Sequence, residues 1–167
     1  MARTTRRRFL QASTAASASF AIGGTKSSGQ VLGANDRVRI AVIGLNGRGS
    51  SHLNGFGGLK NVEIAYVVDP DEKVLNGRLT QVQGKANGKN CKGHKDLRTA
   101  LDDKNVDAIT VAAPNHWHSL MTIWAAQAGK HVYVEKPMSH DVQEGRIAVE
   151  AQKKYGIVVQ HGTQRRS

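Results

Sequence analysis

Val38-Arg39-Ile40-Ala41-Val42-Ile43-Gly44-Leu45-Asn46-Gly47-Arg48-Gly49 is the stretch that decides the fold. Its first half is a nearly unbroken apolar run rich in β-branched residues, the pattern of a strand buried on both faces of a parallel sheet. The run stops at Gly44. Glycines at 44, 47 and 49 then make a turn, and a helix is predicted from about Ser50. Outward from this unit the same alternation recurs. Apolar runs at 62–68, 108–113, 131–134 and 157–160 are separated by segments with helical spacing, among them 119–128 and 141–155.

Strand, helix, strand in repetition predicts an α/β fold: a Rossmann-like, doubly wound parallel sheet in three layers, α/β/α. Pro70 in Asp69-Pro70-Asp71 favours the first turn of the next helix, and Gly129 and Gly156 stand where helices should stop. Residues 84–95, rich in Gly, Asn and Lys, read as exposed loop with room for a short irregular strand near the end. The 167 residues suffice for one such domain and not for two of full size. Residues 1–34 are assigned to a targeting segment and linker, and 35–167 to the domain.

The net charge of +11 raises the question of nucleic acid. Its distribution answers it. Arg3, Arg6, Arg7, Arg8 and Lys26 precede residue 35 with no acid among them, and without those five the 24 basic residues fall to 19 against 13 acids. The rest concentrates at Lys85, Lys89, Lys92, His94 and Lys95, a solvated run without aromatics for base stacking, so nucleic acid is not an expected partner. Cys91 is the single cysteine, which excludes an intrachain disulfide and a multi-cysteine metal site. His116-x-His118 alone is a weak metal signal, and no metal is expected. No stretch has the roughly 18 uninterrupted apolar residues of a membrane span.

Thr5-Arg6-Arg7-Arg8-Phe9-Leu10-Gln11, followed by the acid-free stretch 12–22, resembles a twin-arginine signal peptide. That implies the twin-arginine translocase as partner, export in the folded state with any cofactor aboard, a periplasmic location and no stable membrane anchor after cleavage. Cleavage is expected between Gly29 and Ala34, though no clean Ala-x-Ala fixes it.

The chemistry gathers at strand ends. Gly44-Leu45-Asn46-Gly47-Arg48-Gly49 nearly fits Gly-x-Gly-x-x-Gly, with Asn46 in place of the second glycine. In that fingerprint Gly44 makes the tight turn, the second position lets backbone approach a pyrophosphate, and Gly49 permits close helix packing. Asn tolerates positive φ better than most residues, and Gly47 adds freedom. The following helix N-terminus offers amide donors to phosphates. Asp69 ends the second strand 20 residues beyond Gly49, where an acid accepts hydrogen bonds from ribose hydroxyls; this favours NAD over NADP, with NADP left open. An acid capping the next helix is the competing use. Pro114-Asn115-His116-Trp117-His118 and Glu135-Lys136-Pro137 fall where further strand ends should meet, the crevice that holds ligands in open α/β sheets.

This ordered set resembles the glucose-fructose oxidoreductase, inositol dehydrogenase and MocA family, over about residues 38–167. The resemblance implies that Lys136 reaches the hydroxyl of the reacting carbon and polarises it. It implies that Asn115, His118 and Glu135 line the nicotinamide side, and that Gly44, Asn46, Gly47, Arg48, Gly49, Asp69, Pro114 and Lys136 complete the cofactor-binding set. Asn115 has the alternative of capping a helix. Proline lowers the cost of a cis bond at Lys136-Pro137. Substrates would be sugar-like or cyclitol-like hydroxyls. Intact members continue into a substrate domain that carries the acid/base pair, so the substrate domain is expected to be absent here and turnover by this chain alone to be low. An NAD-dependent glycosidase of the same superfamily and a non-catalytic nucleotide-binding module are the alternatives, and a homo-oligomer is left open.

Overall fold

The computed structural model describes residues 37–163. The twin-arginine stretch and residues 164–167 lie outside the described residues. Six strands form one sheet: β1 (Val38–Ile43), β2 (Val62–Val68), β3 (Lys92–His94), β4 (Ala108–Val111), β5 (His131–Val134) and β6 (Val159–His161), in the order β3-β2-β1-β4-β5-β6. All five pairings are parallel. The chain builds outward from β1 in one direction, then returns to β4 on its other side, so the strand order reverses between β1 and β4.

Helices cover both faces. On one, α1 (Arg48–Gly57) and α2 (Glu72–Gln83) bring Leu53, Leu75 and Val82 onto Ile40, Val42 and Val67. On the other, α3 (Arg98–Asp102), α4 (Asn115–Gln127) and α5 (Val142–Tyr155) bring Leu101, Ala125, Ala126 and Ala151 onto Ile43, Val111 and Val134. The alternation of faces along β1 explains its hydrophobicity from Ile40 to Ile43, all four buried. Each fully buried Val, Leu or Ile stabilises by about 1.5–3 kcal/mol, and a strand sandwiched between helices can leave neither face polar.

The fold is the three-layer parallel architecture read from the sequence, and the hidden strand near the end of the 84–95 loop is β3. Several boundaries differ. The α1 helix starts two residues earlier than expected because Arg48 already has helical geometry after the turn at Gly47. Pro70 lies outside α2: the cap is Asp71, whose carboxylate accepts the amides of Lys73 (2.8 Å) and Val74 (3.2 Å). The largest shift is in α4, which begins at Asn115 rather than 119, its first turn carrying polar and aromatic residues that no apolar period marks. Strand β4 ends at Val111 and β6 begins at Val159. The five-residue α3 and a 3-10 turn at Ala86–Gly88 have no period long enough to read.

Candidate functional site

The turn after β1 lies at the point of strand-order reversal. Gly44 has φ +77°, its amide donates to Val68 O at 2.9 Å, and a Cβ added there would stand 2.7 Å from Ala112 O. A Cβ on Gly49 would overlap the carbonyl oxygen of Gly44. The third glycine of the fingerprint therefore lets α1 start directly against the turn. Gly47 has φ +50° with open space around it. Asn46 does not use its tolerance of positive φ, since among the described residues only glycines have it. Asn46 instead turns its Oδ1 onto the Gly47 amide at 3.0 Å, which leaves the left-handed step to Gly47. No side chain caps α1. Within the turn the Gly49 amide donates to Asn46 O at 3.1 Å and the Ser50 amide to Gly47 O at 3.2 Å, and the positive end of the helix dipole stands where an anionic phosphate is favoured.

Asp69 ties the turn to β2. Its buried carboxylate accepts the Leu45 amide at 2.8 Å through Oδ2 and the Asp71 amide at 3.0 Å through Oδ1. The helix cap is Asp71, not Asp69. A carboxylate has about four lone-pair sites, so these two bonds leave capacity for ribose hydroxyls.

Gly44, Asn46, Asp69 and Pro114 border one cleft of about 800 Å³ at the carboxyl ends of β1, β2 and β4. Its far wall was not foreseen. It consists of the segment Lys95 to Arg98 on one side and Trp117, Met121 and Trp124 on the other. The two indoles lie two helical turns apart with ring centroids at 6.3 Å. Arg98 is held in place by Asp96, which accepts its Nε through both carboxylate oxygens at 3.0 Å. The spacing 117, 121, 124 along α4 is the signal for this wall, and it shows as a stripe only in a helix that begins at Asn115.

The remaining candidates form a second group beside the cleft. His118 is buried, with Nδ1 at 2.6 Å from Pro137 O and Nε2 at 2.8 Å from Ala113 O, so its ring fastens the loop after β5 to the loop after β4. Ser119 adds a bond to Met138 O. Glu135, also buried, accepts from Arg48 Nε at 3.0 Å and His52 Nε2 at 2.9 Å. The ring of His52 meets Thr110 Oγ1 at 3.2 Å through Nδ1 and packs edge-on against Phe56 and Tyr133. Lys136 and Asn115 are exposed, and the Lys136-Pro137 bond is cis. Asn115 is the first residue of α4 and Pro114 its cap position, with no side-chain cap bond. Lys136, Asn115, His118 and Glu135 are thus neighbours of the cleft rather than its lining, and Glu135 is joined to the glycine turn through Arg48.

Two buried groups lie elsewhere, the single cysteine already noted and Lys130, which the sequence did not single out. Burial pushes the Cys91 thiol up to about 12. Lys130, just before β5, donates to Asp103 O (2.8 Å) and Val106 O (2.7 Å), and burial lowers its pKa. Among the described residues no group of three His, Cys, Asp or Glu is placed to hold a metal ion, and no helix is long and apolar enough to cross a membrane.

A glycine turn at the switch point, an acid at the end of β2 and a cleft between them define a dinucleotide-binding α/β domain. Residues 38–163 match the family described as "Oxidoreductase family, NAD-binding Rossmann fold", GFO_IDH_MocA, and the chain belongs to that family. Among similar proteins, "Glycosyl hydrolase family 109 protein" of Shewanella pealeana is 34% identical over 127 residues, 72% of this chain and 27% of that protein. The "scyllo-inositol 2-dehydrogenase (NAD(+))" of Bacillus subtilis is 34% identical over 131 residues, 78% of this chain and 36% of that protein. The crystal structure of GenD2 from gentamicin A biosynthesis, in complex with NAD, superposes with a TM-score of 0.69 at 28% identity, covering 76% of this chain and 34% of that one. The chain spans about a third of the length of these relatives. The residues present fit NAD: the turn admits no Cβ at Gly44 or Gly49, and Asp69 offers acceptors at the cleft.

Proposed function

We propose that this chain is the nucleotide-binding part of an exported, NAD-dependent oxidoreductase acting on sugar-like or cyclitol-like hydroxyls. The observation that carries the reading is the pairing of the Asp69 carboxylate with the Leu45 amide, which sets the ribose-gripping acid and the phosphate turn on one edge of the cleft. In this reading Gly44, Asn46, Gly47, Arg48 and Gly49 hold the diphosphate and Asp69 the adenosine ribose, in line with the expectation of NAD. Trp117, Met121, Trp124 and the Arg98 segment receive the adenine. Bound NAD would supply hydride acceptance. Lys136 then polarises the reacting hydroxyl, while His118 and Glu135 hold the loop from which it projects. Asn115 and Pro114, at the start of α4, complete the nicotinamide side.

Turnover by these 167 residues alone is proposed to be low, because positioning of substrate contributes about 7–11 kcal/mol in favourable systems and the described residues supply Lys136 without an assigned acid/base pair. Export rests on the arginine pair and Phe9-Leu10, and is checked by fusing residues 1–34 to a reporter that is active only if exported folded. The central test is calorimetry with NADH. Saturable binding by the chain, weakened at least ten-fold by Asp69→Ala and less by Asp69→Asn, is the expected result; no affinity for NADH or NADPH in folded protein overturns the reading.

Several relatives of one name favour a second reading. The similarity to a protein called "Glycosyl hydrolase family 109 protein" fits a glycosidase that oxidises its substrate transiently. Release of sugar by the intact enzyme without net NADH formation would select it over the dehydrogenase.

A further inference from the structure

Arg48 and His52 stand four residues apart on α1, hence on one face of the helix, and both donate to the same oxygen, Oε1 of Glu135, at 3.0 and 2.9 Å. The oxygen only accepts, so His52 carries a proton on Nε2. Its Nδ1 is steadied by the Thr110 hydroxyl from β4, and its ring is wedged against Phe56 and Tyr133. Glu135 is buried, with 6% of its side chain exposed, while half of Arg48 is open. A buried carboxylate is costly unless it is paired and hydrogen-bonded. The protein therefore has a reason to hold Arg48 here that is independent of any ligand. Yet Arg48 is also a member of the glycine turn, and its guanidinium has five N–H donors, of which Nε–H is committed to Glu135.

We propose that Thr110, His52 and Glu135 form a positioning relay that pre-aims the Arg48 guanidinium at the diphosphate, and so links occupancy of the phosphate turn to the loop bearing Lys136. Thr110 and His52 touch neither dinucleotide nor substrate in this scheme. They act through Glu135, whose carboxylate sets the rotamer of Arg48. Because Glu135 immediately precedes Lys136, a diphosphate gripped by Arg48 stiffens the segment from which Lys136 projects. The inference rests on the nucleotide-binding reading above and deepens it, assigning to a buried network what the fingerprint alone credits to backbone.

The test compares three probes by calorimetry on the whole chain: NADH, ADP-ribose, which keeps the diphosphate, and AMP, which carries a single phosphate. Glu135→Gln is expected to weaken NADH and ADP-ribose about ten-fold, the scale of one charge-assisted hydrogen bond, and AMP less than about two-fold. In an Arg48→Ala background the same substitution should have almost no effect on NADH, because the relay has lost its output. If Glu135→Gln does not fold, His52→Asn and Thr110→Val carry the same cycle, and Thr110→Ser, which restores the hydroxyl, should rescue the second. Equal weakening of AMP and ADP-ribose, or an undiminished effect in the Arg48→Ala background, overturns the relay while leaving nucleotide binding intact. Absence of binding of all three probes to the unaltered folded chain overturns the nucleotide reading itself.

Discussion

Gly49→Ala tests the geometry of the glycine turn more sharply than any change to a polar residue. The added methyl overlaps the Gly44 carbonyl oxygen, which belongs to the backbone and cannot rotate away, so α1 or the turn must shift. Overpacking a tight site costs typically ~1–3 kcal/mol, and a backbone obstacle places this substitution toward the upper end, about 3 kcal/mol. The displacement also spoils the donor geometry, because N–H···O bonds are confined to roughly 2.7–3.2 Å, and affinity for NADH should fall by more than about ten-fold. Gly47→Ala is the control: its Cβ meets nothing within 4 Å, and only its backbone conformation, φ +50° with ψ −112°, opposes it, a strain of about 1–3 kcal/mol. Urea denaturation of both variants, read at constant m, gives the stabilities, and calorimetry gives the affinities. A Gly49→Ala protein within about 0.5 kcal/mol of the parent that binds NADH equally well, or a Gly47→Ala variant that is the more damaged of the two, would refute the claim that close packing of α1 on the turn sets this position.

Trp124→Ala should weaken AMP and NADH alike, by roughly 1–3 kcal/mol if base-stacking magnitudes apply, and NADH should quench the emission of Trp117 and Trp124 in the parent; unchanged AMP affinity would remove the indoles from the adenine wall. Cys91, with its thiol pushed up to about 12 by burial, should be almost wholly protonated at pH 8, about one thiolate in ten thousand. Thiol titration is therefore expected to be negligible in native protein and to reach one equivalent in denaturant. Lys130→Met leaves the carbonyls of Asp103 and Val106 without their ammonium donor and should cost about 1–3 kcal/mol in urea denaturation with NADH affinity little changed, since Lys130 precedes β5 while the cleft lies beyond the strands' other ends.

The sheet was legible because burial on both faces writes itself into β1 and β2 as continuous apolar runs, and because Gly129 and Gly156 close helices. The motifs at the strand ends were legible as types of residue. Their division of labour was not. Asp69 looked like a ribose ligand or a helix cap, and the cap turned out to be its neighbour Asp71, while Asp69 also braces Leu45. The aromatic wall is hidden because Asn115 to His118 show no apolar period, so the apolar pattern marks α4 only from its second turn and does not join Trp117 to Met121 and Trp124. His52 and Thr110 gave no signal at all. A histidine inside a helix and a threonine inside a strand are ordinary residues until Glu135, more than twenty positions beyond either, arrives between them and Arg48.

The fasteners at this site share a design that bears on how a dinucleotide would bind. The loops after β1, β2, β4 and β5 are tied to one another by side chains: Asp69 to the Leu45 amide, His118 to the carbonyls of Ala113 and Pro137, Ser119 to Met138 O, Glu135 to Arg48 and His52. Such bonds fix the loops before any ligand arrives, so little loop entropy is lost on binding. They also mean that residues of ligand-binding type are partly committed to protein before ligand, which is why Ala substitutions at Asp69 or Glu135 would confound loss of contact with loss of scaffold. Glu135→Gln keeps shape and an acceptor oxygen while removing charge; at Asp69, whose two oxygens each accept an amide, Asn keeps only one acceptor, so Asp69→Asn set beside Asp69→Ala measures how much of the loss is scaffold. A loop held by a buried carboxylate under a half-exposed arginine is rigid on its protein side and open on its solvent side, and that asymmetry is what a site for a charged, extended cofactor requires.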